Sequence, residues 1–351
     1  MGLFILRRTG VMILTALCLT FIVFVLTNLY PNLEKLAKTQ GNFRMSDEAV
    51  ASWLDKNGYI APMPVKYGQW LGVVPGWTDT DDEGKVTGRC IAGAVTAEEA
   101  AKAPSLCGII QGDWGQSTRF KKGVSEIVAE RLGNTGFLMM WVLIVMIPAA
   151  LTIGILAGMR EGSAMDRSLS TVSILTTATP EYVSGVIFIA VFTSSTVGLK
   201  WFKGTATSAM ENPTFENFTL PVITIALYGM GYIARMTRAS TTEVMTAQYI
   251  RTARLKGVSF HNIVLKHALR NALIAPFTVI MLQIPWLLNG VVIVETLFNY
   301  KGFGWVLVEA ASNNDIDLLL AVSVVSVVVV LLTQLISDIG YVYLNPRIRI
   351  S

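Results

Sequence analysis

Residues 249–257 read YIRTARLKG, a polar, basic stretch set between apolar segments long enough to cross a bilayer. Around it Arg235, Arg238, Arg251, Arg254, Lys256, Lys266 and Arg270 stand against a single acid, Glu243. That excess places the loop on the cytoplasmic side by the positive-inside rule. The loop is also patterned. Residues 240–255 are good or neutral helix formers without Gly or Pro, Gly257 supplies a positive-φ stop, and Ser259 can cap a second helix. A helix, a sharp turn and another helix at a membrane surface form a shape that a soluble partner can grip.

Composition sets the class around this loop. Of 351 residues, 52% are hydrophobic and 15% charged, with mean hydropathy +0.53. That is too apolar for a chain whose whole surface must be wetted. An all-α integral membrane protein is predicted, with spans over 9–30, 134–159, 169–195, 219–235, 271–295 and 317–343. Arg7 and Arg8 precede the first span, Arg160 and Arg167 flank the second inside loop, and Arg347 and Arg349 follow the last span. Both termini are therefore expected in the cytoplasm. The sequence 28–31, Asn-Leu-Tyr-Pro, offers no small-residue cleavage site, so the first span reads as uncleaved. The span over 219–235 is short and holds Pro221, Gly229 and Gly231, yet without it the basic loop would face outward.

Three domains follow from this division: 1–30, 31–133 and 134–351, the last with its cytoplasmic loop over 236–270. Segment 31–133 balances its charges and belongs outside. Residues 45–54 and 64–71 predict short helices there, and 122–131 predicts a helix leading into the second span. The part 73–111 is rich in Gly, Asp, Thr and Ala and reads as an insertion. It carries Cys90 and Cys107, whereas Cys18 lies in the first span. Two thiols enclosing a short loop in an oxidising compartment predict a disulfide, the alternative being two unpaired thiols.

Catalytic and ligand motifs are largely missing. His261 and His267 both fall in the basic loop, with no cysteine or carboxylate at metal spacing, so no metal site is expected. No GxxxxGK[ST] phosphate loop exists; residues 83–86, Glu-Gly-Lys-Val, share only the Gly-Lys pair and lie on the outer side. No enzyme activity and no cofactor are expected on this chain, and any use of ATP requires another subunit. A secondary transporter would call for an internal repeat and several intramembrane ionisable groups. A membrane enzyme would call for a cluster of intramembrane nucleophiles, acids or metal ligands. Neither pattern is visible.

The stretch 249–276, YIRTARLKGVSFHNIVLKHALRNALIAP, resembles the cytoplasmic coupling loop of binding-protein-dependent ABC importers of the dipeptide, oligopeptide and nickel permease family. In that family's E-A-A-x-x-x-G pattern, Arg251, Thr252 and Ala253 stand at Glu-Ala-Ala and Gly257 at the glycine. LFILRRTGVMIL, GDWGQSTRFKKGVSEIVAERLGNT, ETLFNYKGFGWVLVEA and LNPRIR are similar to it as well, in order along nearly the whole chain outside 73–111.

The resemblance implies a type I ABC importer permease fold with six transmembrane helices and a large extracytoplasmic segment after the first. It implies a bacterial inner-membrane subunit that forms half of a path for short peptides or similar polar solutes, with nickel complexes or opines as variants. The implied partners are a second permease subunit, two ATPase subunits that bind ATP and Mg, an external solute-binding protein and the lipid bilayer, with no nucleic acid. Arg251, Thr252, Ala253, Arg254, Leu255, Lys256, Gly257 and Val258 are the expected ATPase-coupling residues. Arg254 and Lys256 are placed to pair with acids on the ATPase, and Ala253 to allow close approach. Glu181, after Pro180 near the middle of the third span, is a candidate for lining the path, since a carboxylate facing lipid is costly. Gln283 and Asn289 are candidates in the fifth span.

Overall fold

Apolar runs must satisfy their own backbone in lipid, and the chain does this with helices. The computed structural model describes residues 2–81, 84–91, 93–194 and 199–344, leaving aside the side chains of 2–5, 285–286, 288–290 and 341–344. Two compact units result: Met1–Glu130 with Val306–Val328, and Arg131–Trp305 with Val329–Ser351.

In the first unit, α1 (Gly2–Thr27) is followed by α2 (Tyr30–Gln40), with Pro31 in the first turn, where its missing N–H costs nothing. Ser46 caps α3 (Asp47–Lys56) by accepting the Ala49 N–H at 3.4 Å. α4 (Met63–Leu71) stops at Gly72, whose φ of 88° suits glycine. The predicted short helices over 45–54 and 64–71 correspond to α3 and α4. Phe24 of α1, Leu33 and Leu36 of α2, Val50 and Leu54 of α3, and Trp70 of α4 form a core with Ile316 and Leu320.

The fold is helical as expected, with one small exception. Segment 73–111 folds a two-stranded hairpin, β1 (Thr78–Thr80) antiparallel to β2 (Val86–Gly88). The one-turn α5 (Ala97–Ala100) follows, held by a capping box between Thr96 and Glu99. Cys90 and Cys107 are joined as a disulfide with Cα atoms 5.5 Å apart.

The predicted helix over 122–131 merges with the second span as one helix, α6 (Val124–Met159). The third span, expected as one helix over 169–195, is instead α7 (Ala164–Ala178) and α8 (Glu181–Phe192), bent by 103°. Pro180 is the reason. It lacks the N–H needed to continue α7 and drives Thr179 into the extended region, with φ −92° and ψ 119°. Glu181 therefore opens a new helix, rather than sitting beside a kink in mid-span.

The centre of the second unit is α9 (Phe215–Met245), at 1.5 Å per residue about 46 Å long and so roughly 16 Å longer than a hydrocarbon core. Within its apolar window 67% of residues are buried, against 11% for the first span. Small residues let neighbours approach α9. A Cβ on Gly158 of α6 would come 2.6 Å from Thr241 Cβ, and one on Gly154 would come 2.5 Å from the Ala234 carbonyl. These two glycines form a GxxxG seam. Gly231 likewise receives α7 at Ser173 and Gly229 receives Met146 of α6.

After α9 come α10 (Gln248–Leu255), the single turn α11 (Phe260–Asn262), a widened π turn (Ile263–Ala268), α12 (Leu269–Ala272) and α13 (Ile274–Leu297). α14 (Phe303–Ser312) and α15 (Ile316–Leu344) complete the chain. Glu295 of α13, fully buried, accepts the Trp305 N–H at 2.9 Å and the Thr135 hydroxyl, clasping the 298–305 turn to α6. Among the described residues four helices are long and apolar enough to cross a membrane. Up to six spans result if α7 with α8, and Phe260–Ala272 with Ile274–Ile284, each count as one.

Candidate functional site

The run 240–255 does not form the single helix predicted for it. It breaks at Thr246 and Ala247, the latter extended at φ −63° and ψ 148°. Thr241, Thr242 and Thr246 lower helix propensity there, and the Thr246 hydroxyl bonds back to the Glu243 carbonyl at 2.8 Å. The break turns α10 away from the axis of α9 as a separate short helix.

α10 ends in a Schellman motif. Val258 N–H reaches the Ala253 carbonyl at 3.1 Å, and Gly257 N–H reaches the Arg254 carbonyl at 3.0 Å. Gly257 has φ 74°, the left-handed conformation the motif requires, and a Cβ there would meet nothing within 4 Å. Its glycine is thus set by backbone angle, and steric room inside the chain plays no part. Ser259 holds the N-cap position of α11 with extended φ and ψ, but its side chain makes no capping bond.

One face of α10 is closed. Ile250 and Ala253 pack with Ile263 and Ala268, flanked by Val244, Met245, Ala247 and Val258. Ala253 is 9% exposed and packs against the chain's own turn. The opposite face carries Arg251, Thr252, Arg254, Leu255 and Lys256, all exposed, and Leu255 is 82% exposed despite being apolar. None of the three cations makes an ion pair among the described residues. His261 and His267 are exposed.

α10 is tied to the bundle at several points. The Asn271 amide donates to the Tyr249 hydroxyl at 3.0 Å, and the Ser240 hydroxyl to the Ala272 carbonyl at 2.8 Å. Arg238, counted above as a loop cation, is an anchor. Its Nε and Nη2 donate to Asp166 Oδ1 and Oδ2 at 2.5 and 2.8 Å, joining α9 to the start of α7. Asp166 also accepts the Gly162 N–H at 2.9 Å and the Ser170 hydroxyl at 3.2 Å. Sequence reading missed Asp166; its signal was an acid three residues after Ser163, in capping position.

Of the path candidates, Gln283 is buried and borders a cavity of about 210 Å³ with Thr177, Tyr228, Tyr232, Val279 and Leu282. The hydroxyls of Thr177, Tyr228 and Tyr232 were not singled out from sequence. Glu181, half-buried, starts α8 and is not among the residues bordering that cavity. The side chain of Asn289 lies outside the described residues.

A bundle of apolar helices with a short, capped amphipathic helix between two of them defines a polytopic membrane protein built to engage a soluble partner. Residues 150–350 match the family described as "Binding-protein-dependent transport system inner membrane component". The chain belongs to this family and is a multi-pass permease subunit of an ABC importer. It is similar to the oligopeptide transport system permease protein AppB of Bacillus subtilis (strain 168), 30% identical over 99% of this chain and 100% of the relative. It is also similar to the glutathione transport system permease protein GsiC of Salmonella typhimurium (strain LT2), 32% identical over 69% of this chain and 76% of the relative.

Proposed function

We propose that this permease moves short peptides or similar small polar solutes, delivered by a solute-binding protein, and that residues 251–258 dock on an ATPase subunit. The observation carrying the docking reading is the two-sided α10: Ile250 and Ala253 bind it to its own chain, while Leu255 stands 82% exposed among unpaired cations. An apolar side chain so exposed has no structural task inside this chain. In the proposed arrangement Leu255 enters a groove on the ATPase, and Arg251, Arg254 and Lys256 meet acids at its rim. ATP and Mg are bound and used by two partner ATPases, not by this chain. Six spans, with both termini cytoplasmic and a second permease subunit opposite, complete the assembly.

Coupling follows from stiffness. A push on α10 passes through its packed face to the end of α9, through Asn271 to α12 and α13, and through Arg238 to α7. Packed helices shift as units between discrete arrangements. The cavity beside Gln283, with its hydroxyls and amide, suits the donors and acceptors of a peptide group, and the peptide-transport names of the relatives support that substrate class. Glu181 and Asn289 are further proposed path residues.

Leu255→Glu tests this reading. The variant should reach normal membrane abundance, because nothing in the chain holds Leu255, yet lose ATPase association and peptide uptake by tenfold or more. Full uptake at normal abundance would overturn the docking assignment.

A further inference from the structure

The first unit holds a cavity of about 180 Å³ that the transport reading does not use. Trp53, Tyr59, Trp70 and Trp77 form aromatic walls, and Lys66, Arg89 and Asp317 supply charge. Lys66 is only 8% exposed, and its ammonium makes one hydrogen bond, to the Tyr59 carbonyl at 3.0 Å. Arg89 has a buried Nε with no hydrogen-bond partner. Neither cation makes an ion pair within 4 Å among the described residues. A buried charge is normally paired, and burial here pushes the Lys66 ammonium below its usual value. N–H groups left over on Lys66 and at Arg89 Nε, on residues that line a cavity, are donors for a ligand.

The complement of this lining is specific. Unused N–H groups on Lys66 and Arg89 call for a carboxylate, which guanidinium and ammonium bind by charge-assisted hydrogen bonds. The Asp317 carboxylate gives an ammonium a counter-charge in the same space. The aromatic walls suit an apolar or aromatic body and add cation–π attraction. We propose that this cavity is a binding site for a small zwitterion, an amino acid or the exposed end of a short peptide, held by Lys66, Arg89 and Asp317 between Trp53, Trp70 and Trp77. The site lies wholly in the first unit, so its occupancy is measurable without ATP, without the solute-binding protein and without transport.

The cavity tryptophans report on occupancy. The full chain in lipid nanodiscs is titrated with phenylalanine, with its amide and with inorganic phosphate, following intrinsic fluorescence and, in parallel, calorimetry. Saturable binding of phenylalanine is expected, at least tenfold weaker for the amide and for phosphate. Lys66→Met, which removes the charge and keeps the stem, should weaken phenylalanine binding tenfold or more while the chain stays folded by circular dichroism. Arg89→Gln, at a more exposed residue, provides an independent loss if Lys66→Met fails to fold. Absence of saturable phenylalanine binding overturns the site. So does equal affinity for the amide, equal affinity for phosphate, or unchanged affinity in a folded Lys66→Met or Arg89→Gln variant. Failure here leaves the docking of α10 untouched, since Leu255→Glu reads that separately.

Discussion

Asp166→Asn removes one charge from the pair that ties α9 to α7. In the folded chain the Asp166 carboxylate is 3% exposed and accepts two bonds from Arg238, one from Gly162 N–H and one from the Ser170 hydroxyl. Breaking a buried pair by removing one partner costs about 3–5 kcal/mol. The Arg238 side chain is 31% exposed, so water recovers part of its loss, and about 2–3 kcal/mol remains. For a unit of this size each kcal/mol moves Tm by roughly 2–4 °C, which gives a drop of roughly 5–10 °C. The assay is thermal unfolding of the detergent-solubilised chain, run for Asp166→Asn, Arg238→Gln and the double variant. Because the two groups contact directly, the double variant should be less destabilised than the sum of the singles by about 2 kcal/mol. A Tm within about 1 °C of the parent for Asp166→Asn, or strict additivity, would refute the reasoning.

Gly257→Val should destabilise the α10 turn by about 1–2 kcal/mol, because φ 74° is strained for any side chain. Gly257→Asn should cost less and retain more uptake, and equal uptake by both would contradict the left-handed turn as the cause. Replacing Cys90 and Cys107 with serine, which opens a loop of sequence separation 17, should destabilise the first unit by about 3 kcal/mol and speed proteolysis within 73–111, as read by mass spectrometry. The lowered Lys66 value carries a pH signature. Between that value and the ordinary lysine value the unfolded chain binds more protons, so stability rises with pH through that window. The buried Tyr59 acts oppositely above the ordinary tyrosine value, being pushed up by desolvation. Unfolding curves of the parent minus those of Lys66→Met, taken below that value, should show the rise; a flat difference would remove the buried-ammonium assignment.

Much of this organisation was legible in the sequence because lipid imposes simple rules. Apolar runs with few charges gave helices close to the places expected, and the basic loop held a helix that stops before Gly257. The bend at Thr179–Pro180 was misread because a proline in an apolar run fits a kink as well as a break. Only the packing of α7 and α8 against α9, by way of Gly231 and Gly185, decides between them. The break at Ala247 was missed because propensity sums say nothing of the apolar cluster that α10 must cover. The Asp166–Arg238 pair spans positions far apart in the chain, so no local pattern announced it. Leu255 stood out only once exposure was known, since an apolar residue in a helix normally points inward. The hairpin in 73–111 escaped because both strands are three residues long, and the Lys66 cavity because its lining comes from stretches as far apart in the chain as Phe24 and Leu320.

The central claim, that the outer face of α10 is the docking face, is tested most directly by site-specific photo-crosslinking in native membranes. A photoreactive residue placed at Leu255, 82% exposed, should form an adduct with an ATPase subunit, while the same probe at Ile250, 0% exposed, should not. Adducts with lipid or with no protein at position 255, in a transporter that still takes up substrate, would contradict the account.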